Sequence, residues 1–352
     1  MVLLLVAAAL AIVRPTLQDL GIGGTAARRV APVGAFAQTF DVNQFQRGNM
    51  HTHTTLSDGL DPPRDVIEWY RDHGYQFLAL TDHDKVDDLA PFEDLETSGF
   101  VLLPAEEVTS RVGSDKSPVH VNGICIGKRI PSGQFDDVRS ALADAVGAIR
   151  AQQGFVIVNH PNFKWGASTS DIASLGGAYS LEIWSGHPDV SQLGDPTHPS
   201  HEEIWDELLA RGRDVGAIGA DDMHRLTPER SPEKEPLPGR AWVETFGAET
   251  TREAICDALM ANRMYVSSGV AFRRIALTAS TLSVWVGDSR ARVEFVGNGG
   301  QVLSRGRVAA GGNVADGYLA SYTLQGGESY VRARAMVEGV GAAWTQAYRT
   351  AK

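Results

Sequence analysis

The sequence has only two cysteines, Cys125 and Cys256, among its 352 residues. They are far apart and form no Cys-x-x-Cys pair, so the sequence indicates neither a thiolate metal site nor a disulfide framework. We therefore expect two small buried side chains that behave as apolar residues.

Positive charge is also scarce, because 32 Lys and Arg stand against 43 Asp and Glu and give a formal charge of −11. Binding along a nucleic acid backbone requires clustered cations, so the composition argues against nucleic acid as the main partner. Apolar residues make up 43% of the chain and charged residues 21%, which is ordinary for a globular protein. The length suits one barrel-sized domain with a small accessory domain.

Long hydrophobic runs are missing, and the most apolar stretch is Val2–Val13. It is too short to span a bilayer comfortably, but it has the length of a signal-peptide core. No Lys or Arg precedes it, and the Ala-x-Ala site at 35–37 lies well beyond it. We expect a periplasmic or secreted protein whose membrane contact is limited to this segment; the alternative is a buried helix in a cytoplasmic protein. Residues 14–45 are predicted to be a linker that completes the segment 1–45.

From residue 46 to 272 the chain alternates short apolar runs with amphipathic segments, a pattern typical of βα units around a parallel sheet. Asp61 is a predicted helix N-cap with Pro62 at the first helical position, and Thr250 with Glu253 forms a predicted capping box. Strands are predicted at Phe77–Leu80, Phe100–Leu103, Val119–Ile126, Phe155–Val158, Leu181–Trp184, Val215–Ile218 and Ala241–Val243.

Residues 273–352 change in texture, with alternating segments such as Ala291–Val296 and Tyr330–Ala335. Alternation with a period of two and turns between segments is typical of antiparallel strands. The sequence therefore predicts an α/β protein whose barrel, 46–272, precedes a small β-sandwich-like domain, 273–352.

Polar side chains interrupt the ends of several predicted strands. Two imidazoles lie two residues apart at His51 and His53, on one side of an extended segment. Because the carboxyl ends of barrel strands converge on one face, we expect ligands distant in sequence to meet there. The other candidates at or beside strand ends are Asp82, His83, Glu107, His120, Asn159, His160, Asp222 and His224.

Each of these residues has an alternative role as a cap or a hydrogen-bonded loop residue, because loops are polar. Six of the ten histidines at strand ends are hard to explain in that way. The remaining four, His73, His187, His198 and His201, are assigned to ordinary structural roles. Trp165, Trp184 and Trp205 are assigned to packing in the core or at the rim.

The order of these motifs resembles that of the PHP superfamily, named for its polymerase and histidinol phosphatase members. The resemblance covers 46–272. It rests on His51-x-His53, Ser57-Asp58-Gly59, Thr81-Asp82-His83, Glu107, His120, Asn159-His160-Pro161 and Asp222-x-His224. The Gly48–His53 start, the Leu181–Trp184 strand and Ala343–Gln346 resemble, less strongly, the bacterial branch that includes carbaryl hydrolases.

The resemblance implies a distorted (β/α)7 barrel with two or three divalent ions. It implies a first ion at His51, His53, Glu107 and Asp222. It also implies a second ion shared by Glu107 with His120 and His160, and a third at Asp58, His83 and His224. Asp58 stands where some relatives have His, and the adjacent Glu106 is the alternative to Glu107. Glu107 and Asp222 would flank a metal-bridging hydroxide, with no separate base.

Donors without thiolates suit Zn, Mn or Fe, among which the sequence does not choose. Candidates for orienting the ligands are Asp82, Asn159 and Glu182, with loop capping as the alternative. Candidates for binding substrate are Lys85, Arg111, Lys164, Trp165 and Arg225.

Three functions remain open at this point, and the oligomeric state is open as well. The first is hydrolysis of a small-molecule phosphoester, and the second is hydrolysis of a carbamate or aryl ester. The third is a non-catalytic, metal-stabilised binding module. Every proposed ligand precedes residue 272, so the sequence predicts that the β domain is dispensable for the chemistry.

Overall fold

The computed structural model describes residues 31–32, 38–41, 44–247, 249–310 and 316–349. The apolar segment Val2–Val13 and most of the predicted linker 14–45 lie outside these residues. In the described part, no helix is long and apolar enough to cross a membrane.

The described residues form five α-helices and 22 strands. The helices are Pro63–Asp72 (α1), Val138–Ala151 (α2), Thr169–Ile172 (α3), His201–Ala210 (α4) and Arg252–Met260 (α5). The strands of the N-terminal half are Ala31–Pro32 (β1), Gln38–Asp41 (β2), Phe45–Asn49 (β3), Phe77–Ala79 (β4), Val101–Leu103 (β5), Ala105–Val112 (β6), Ser117–Ile124 (β7), Gln134–Phe135 (β8), Phe155–Val158 (β9), Tyr179–Ser185 (β10) and Val215–Ala220 (β11). The remaining strands are Trp242–Phe246 (β12), Met264–Ser267 (β13), Phe272–Leu277 (β14), Thr281–Val286 (β15), Arg292–Gly297 (β16), Gln301–Arg307 (β17), Ala309–Ala310 (β18), Tyr318–Thr323 (β19), Arg332–Val337 (β20), Gly341–Thr345 (β21) and Tyr348–Arg349 (β22).

The strands that carry the predicted site belong to two sheets. One sheet has six strands in the order β11-β10-β9-β7-β6-β8, and the other has nine in the order β17-β16-β20-β21-β13-β12-β3-β4-β5. The expected (β/α)7 barrel is therefore not seen, because the described strands close no single barrel. The physical reason is local: β6 and β7 pair as an antiparallel hairpin where a βα unit would require a crossover helix.

Two isolated parallel bridges join these sheets beside the predicted ligands. Thr52, just after β3, bridges to Met223, and His83, just after β4, bridges to Glu107 in β6. The carboxyl ends of β3 and β4 are thus held against β6 and the segment after β11. These two bridges bring the ligand-bearing segments of both sheets close together.

All seven predicted strands overlap observed ones, whereas β3, β6, β8 and β13 were missed. The cause for β6 is its composition, because Glu106, Glu107 and Arg111 interrupt any apolar run in Ala105–Val112. In contrast, β9 is buried at all four positions and reads as a continuous apolar run.

The two predicted helix starts are each displaced by one residue. The N-cap of α1 is Pro62, and the Asp61 carboxylate accepts the Leu226 amide instead. The N-cap of α5 is Thr251, whose hydroxyl accepts the Ala254 amide. In α1, the side chains of Val66, Ile67 and Tyr70 are buried on one face of the helix.

The C-terminal strands form two packed layers with Phe272, Val284, Phe295 and Ala333 among the buried residues between them. One layer is a five-stranded sheet in the order β18-β19-β15-β14-β2, and the other consists of β16, β20 and β21. The second layer continues through β13 into β12 and β3. The sandwich and the site-bearing strands consequently share a sheet.

Further contacts tie the C-terminal strands to the rest of the chain. The Gln346 amide donates to the Ala217 carbonyl at 2.7 Å and accepts the Ala217 N–H at 2.8 Å. Arg332, which is 1% exposed, donates to both carboxylate oxygens of Asp206 in α4, at 2.9 and 2.6 Å. A cut at residue 272 would remove these partners together with the strand that pairs with β13.

The expectation of two unlinked cysteines is wrong, because Cys125 and Cys256 form a disulfide with their Cα atoms 6.2 Å apart. Cys125 directly follows β7, and Cys256 lies in α5. The bond joins positions separated by 131 residues. Spacing gave no signal for it, since the pairing is made by tertiary proximity alone.

We expect the double variant Cys125→Ser/Cys256→Ser to lose about 2–5 kcal/mol of unfolding free energy, because the bond restricts a long loop in the unfolded chain. Denaturant unfolding under oxidising conditions measures the loss. Wild-type protein in reducing agent is the control and should match the variant. Equal midpoints for the variant and the oxidised wild type would contradict the expectation.

Candidate metal centre

The structure brings all nine sequence-predicted metal ligands into one cluster. The donor atoms fall into overlapping groups of three, with all atoms of a group within 4.8 Å of one another. The groups are His51, His160 and Asp222; His51, His53 and Glu107; His53, Asp58 and His83; His53, Asp222 and His224; and His83, Glu107 and His120.

Glu107 lies at the centre of the cluster and is 1% exposed. One of its oxygens is 3.2 Å from His51 Nε2, 3.1 Å from His120 Nδ1 and 3.6 Å from His160 Nε2. The other is 3.1 Å from His53 Nε2 and 3.2 Å from His83 Nδ1. A carboxylate with different donors on each oxygen has the placement required to bridge two ions.

Glu106, the alternative to Glu107, points away from the cluster because successive residues of a strand face opposite sides. Its carboxylate accepts the Ile130 amide at 2.8 Å. Burial raises the pKa of Glu106 to about 7. The strand register thus places Glu107, and not Glu106, among the histidines.

Asp222 is the second central carboxylate. Its Oδ1 lies 3.3 Å from His51 Nε2 and 3.2 Å from His53 Nε2. His160 Nε2 is 3.7 Å from Oδ2. The backbone of Asp222 has φ +48°, a left-handed conformation that turns its side chain into the cluster directly after β11.

Asp221, which the sequence did not single out, holds this turn in place. It is fully buried, and its carboxylate receives five hydrogen bonds. The donors are Asn49 Nδ2, the Tyr70 hydroxyl and the backbone amides of Gly239, Arg240 and Ala241. The two adjacent acids therefore have different roles: Asp221 anchors the backbone, and Asp222 faces the histidines.

The outer part of the cluster contains Asp58, His83 and His224, which are more exposed than the central residues. Asp58 lies 3.4 Å from His83 Nε2 and 3.5 Å from His224 Nε2 through its two carboxylate oxygens. Its side chain is 55% exposed. This corner of the cluster opens to solvent.

The three residues predicted to orient ligands all contact the cluster or its loop. The Glu182 carboxylate is 2.9 Å from His51 Nδ1, which turns Nε2 toward the centre. Asn159 donates to Glu107 at 2.7 Å. Asp82 accepts the Thr54 amide and hydroxyl and the Ser57 hydroxyl, which fixes the loop after His53.

The buried carboxylates and imidazoles of the cluster shift one another's pKa values. Burial by itself raises the pKa of Glu107, but the charges of His51, His120 and His83 hold it well below its ordinary value. Burial lowers the pKa of His53, but Asp222 and Glu107 outweigh this effect and raise it to about 10. The buried carboxylates therefore favour positive charge beside them, which divalent ions bound to the same imidazoles can supply in place of protons.

The donor atoms also fit a metal geometrically. His51 Nε2 and His53 Nε2 are buried and have no hydrogen-bond partner within the described residues. Buried polar atoms are normally satisfied, so these two nitrogens, which lie 3.1–3.3 Å from the carboxylates of Glu107 and Asp222, fit a divalent cation. Nitrogen and carboxylate donors without thiolates suit Zn, Mn or Fe.

The substrate candidates from the sequence lie in different places. Lys85 is paired with Asp87 at 3.2 Å, and Arg111 lies four residues beyond Glu107 on β6, roughly 13 Å along the strand. Lys164 sits over the Phe163 ring, and Trp165 stacks on His198. Arg225 alone lines a cavity beside the outer ligands.

That cavity has a volume of about 570 Å³ and is bordered by Asp58 and His224. Its lining includes three basic residues that the sequence interpretation did not select for function, His187, Arg230 and Lys234, together with the acidic Asp189, Glu233 and Glu235. Glu235 pairs with both Arg225 and Arg230, whereas Lys234 has no ion pair within the described residues. The sequence signal was weak because these residues lie in loops with no strand pattern.

Three of the four histidines assigned to structural roles fit that assignment. His73 stacks on Trp69, His198 stacks on Trp165, and the buried His201 accepts the Asn162 amide. His187 differs, because its ring packs edge-on against His224 at 5.2 Å. Of the tryptophans, Trp205 is fully buried and Trp184 packs against Trp344, as expected.

Comparisons with known proteins give weak likenesses only. No family model matches this chain, and no curated protein matches it. A two-domain protein from Bacteroides vulgatus, containing a predicted PHP-like metal-dependent phosphoesterase, is 16% identical with a TM-score of 0.44, covering 89% of this chain and 94% of that one.

Two further solved structures are similar over part of the chain. A Bifidobacterium adolescentis protein assigned as a metal-dependent phosphoesterase is 17% identical with a TM-score of 0.38, over 60% of this chain and 96% of that one. An amidohydrolase from Chromobacterium violaceum, with bound sulfate and no metal, is 18% identical with a TM-score of 0.37, over 54% and 93%. At such low identities and TM-scores, these likenesses decide neither family nor activity.

We expect Glu107→Gln to lose at least one equivalent of bound metal, or to bind it on the order of a hundredfold more weakly, because a neutral amide cannot balance two dications. Elemental analysis and metal titration of the purified variant measure this. Glu106→Gln is the matched control and should bind metal like the wild type. Loss of metal in Glu106→Gln with normal metal binding in Glu107→Gln would show that Glu106, and not Glu107, belongs to the cluster.

Proposed function

We propose that this protein is a metal-dependent hydrolase and that its substrate is a small-molecule phosphoester. The observation that carries the proposal is the convergence of nine nitrogen and carboxylate donors around Glu107, with the outer corner open to a cavity. Divalent ions bound there would polarise the substrate oxygen and lower the pKa of a coordinated water toward about 7.

The chain's own residues divide the remaining tasks. Glu107 and Asp222 hold the centre of the site, while Glu182 and Asn159 fix His51 and Glu107 in orientation. Burial of the inner ligands excludes bulk water from this side. Substrate would approach from the corner formed by Asp58 and His224, where the side chains are partly exposed.

The choice of a phosphoester rests on the cavity at that corner. Arg225, Arg230 and Lys234 line it beside the acidic Asp189, Glu233 and Glu235. Glu235 pairs with both arginines, whereas Lys234 has no ion pair among the described residues and is suited to holding a phosphoryl oxygen. Its apolar wall consists of Leu60, Pro188 and Pro236, without a Phe, Tyr or Trp ring to pack an aromatic leaving group. Trp165 does not line it. These features favour a phosphoester over the carbamate or aryl ester alternative.

A substrate screen tests the proposal directly. Metal-free protein would be supplied with Zn, Mn or Fe and assayed with p-nitrophenyl phosphate, bis-p-nitrophenyl phosphate and a naphthyl carbamate. We expect hydrolysis of a phosphate compound that is lost on chelation and restored by metal. Carbamate hydrolysis alone would favour the second function, and metal binding without any turnover would favour the binding module.

We expect Lys234→Gln to raise KM for a phosphate substrate about tenfold or more with bound metal unchanged, because one charge-assisted hydrogen bond contributes roughly 1.5–3 kcal/mol. Steady-state kinetics with metal analysis separate the two effects. Lys128→Gln removes the same charge at an exposed position outside the cavity and should leave KM within about twofold. An equal rise in both variants would rule out a specific role for Lys234.

We also propose that the protein works in an oxidising compartment, the periplasm or the cell exterior. The Cys125–Cys256 disulfide supports this location, since such bonds persist mainly in exported proteins. Rapid thiol trapping of fractionated cells tests it. Blocked cysteines in an exported fraction are expected, whereas free thiols in a cytoplasmic fraction would overturn the proposal.

A further inference from the structure

A groove on the outer face of β16, β17 and β20 concentrates arginine in an acidic protein. It has a volume of about 1040 Å³, and its lining includes the glutamates Glu294 and Glu338 beside four arginines, Arg290, Arg292, Arg305 and Arg307. We call these four residues and the space between them the arginine groove. The chain as a whole has a formal charge of −11, so this concentration is local.

The strand register sets two of these arginines directly against each other. Arg292 on β16 is the cross-strand partner of Arg307 on β17, and Met336 lies opposite Arg292 on the other side. Both arginines are exposed. Like charges directly opposite each other in an antiparallel pair destabilise a sheet, so a bound anion would relieve this repulsion.

The ion pairs in and around the arginine groove leave the facing arginines unneutralised. Glu294 pairs with Arg305 and Arg334, and Asp288 pairs with Arg290. Within the described part of the chain, neither Arg292 nor Arg307 has an ion pair. Glu294 and Asp288 are thus already engaged by other arginines, and Glu338 is the one lining carboxylate that has no ion pair among the described residues.

The arginine groove is also remote from the metal centre. In the nine-stranded sheet β17 is the first strand and β3 the seventh, which places them roughly 30 Å apart at about 4.8 Å per strand. The arginine groove therefore does not belong to the hydrolytic site. Any ligand of the arginine groove would therefore be separate from the substrate of the metal centre.

The lining of the arginine groove restricts the chemistry of that ligand. Guanidinium forks match phosphate and sulfate oxygens, and Arg305 and Arg307 repeat along β17 at roughly 7 Å. No aromatic residue lines the arginine groove, so it lacks the platforms on which nucleic acid bases stack. Its concave form suits a chain better than a flat lipid surface.

We propose that the arginine groove binds a dissolved linear polymer that carries phosphate or sulfate groups and no bases. Arg292 and Arg307 make the central contacts, with Arg290 and Arg305 at the flanks. Binding is electrostatic and weakens as salt rises, because it releases counterions from the polymer. This inference is independent of the proposed hydrolase activity.

The test uses full-length, metal-free protein, so that the metal centre does not capture the probe through bound ions. Long-chain inorganic polyphosphate is titrated at several salt concentrations. The variant Arg292→Glu/Arg307→Glu should bind at least tenfold more weakly and with a flatter salt dependence. The matched control, Arg139→Glu/Arg273→Glu, makes the same charge change at exposed positions elsewhere and should bind within about twofold of wild type.

Equal losses of affinity in both variants would overturn the proposal, since the charge effect would then not be specific to the arginine groove. Undiminished binding by Arg292→Glu/Arg307→Glu would overturn it as well. If the Glu pair does not fold, Arg292→Gln/Arg307→Gln removes the same cations and should weaken binding in the same direction. Tighter binding to oligo(dT) of matched charge, or to vesicles of anionic phospholipid, would overturn the choice of a base-free dissolved polymer.

Discussion

The structure depends on the burial of two carboxylates, Glu107 and Asp222, that cannot be left without positive charge. An isolated buried carboxylate is too costly to ionise, so the fold must bring cations to it. The two residues come from different parts of one sheet, β6 and the turn after β11, whereas His51, His53 and His83 follow strands of the other sheet. The bridges Thr52–Met223 and His83–Glu107 fix the seams between the sheets at this point. The architecture thus surrounds the carboxylates with imidazoles that can bind divalent ions together with them.

Much of this site could be predicted from sequence, because most ligands directly follow apolar strands and the carboxyl ends of such strands converge. Glu107 and His120 are exceptions, since they lie inside β6 and β7, and the charged residues of β6 hide that strand from any hydrophobic pattern. The resemblance favoured Glu107 over Glu106, and the strand register of the structure decides between them. His187 and Lys234 were missed because their loops approach the outer ligands only in the folded chain. The distorted (β/α)7 barrel is not confirmed, and the sequence pattern did not reveal the departure because an antiparallel hairpin and a βα unit give similar alternation of apolar and polar segments.

The disulfide and the C-terminal boundary expose a second limit of sequence reasoning. The 131-residue separation of Cys125 and Cys256 carries no spacing signal, so their contact exists only in three dimensions. The change of texture near residue 272 was visible in the sequence. What it could not reveal is that β20 and β21 extend the sheet of β13, β12 and β3. Composition indicates where the C-terminal β-strands begin, but it does not show whether they form a separate domain or join an existing sheet.

The C-terminal segment also supplies hydrogen-bond partners to the backbone of β11, which leads into the metal centre. β11, the strand that leads into Asp221 and Asp222, is the edge strand of its sheet. Its outward backbone groups are buried and must be paired. Gln346 satisfies both the N–H and the carbonyl of Ala217, and the Trp205 indole donates to the Val215 carbonyl. A side chain from the last strands therefore acts as a missing neighbouring strand, and the position of Asp222 depends on residues that sequence analysis assigns to an accessory domain.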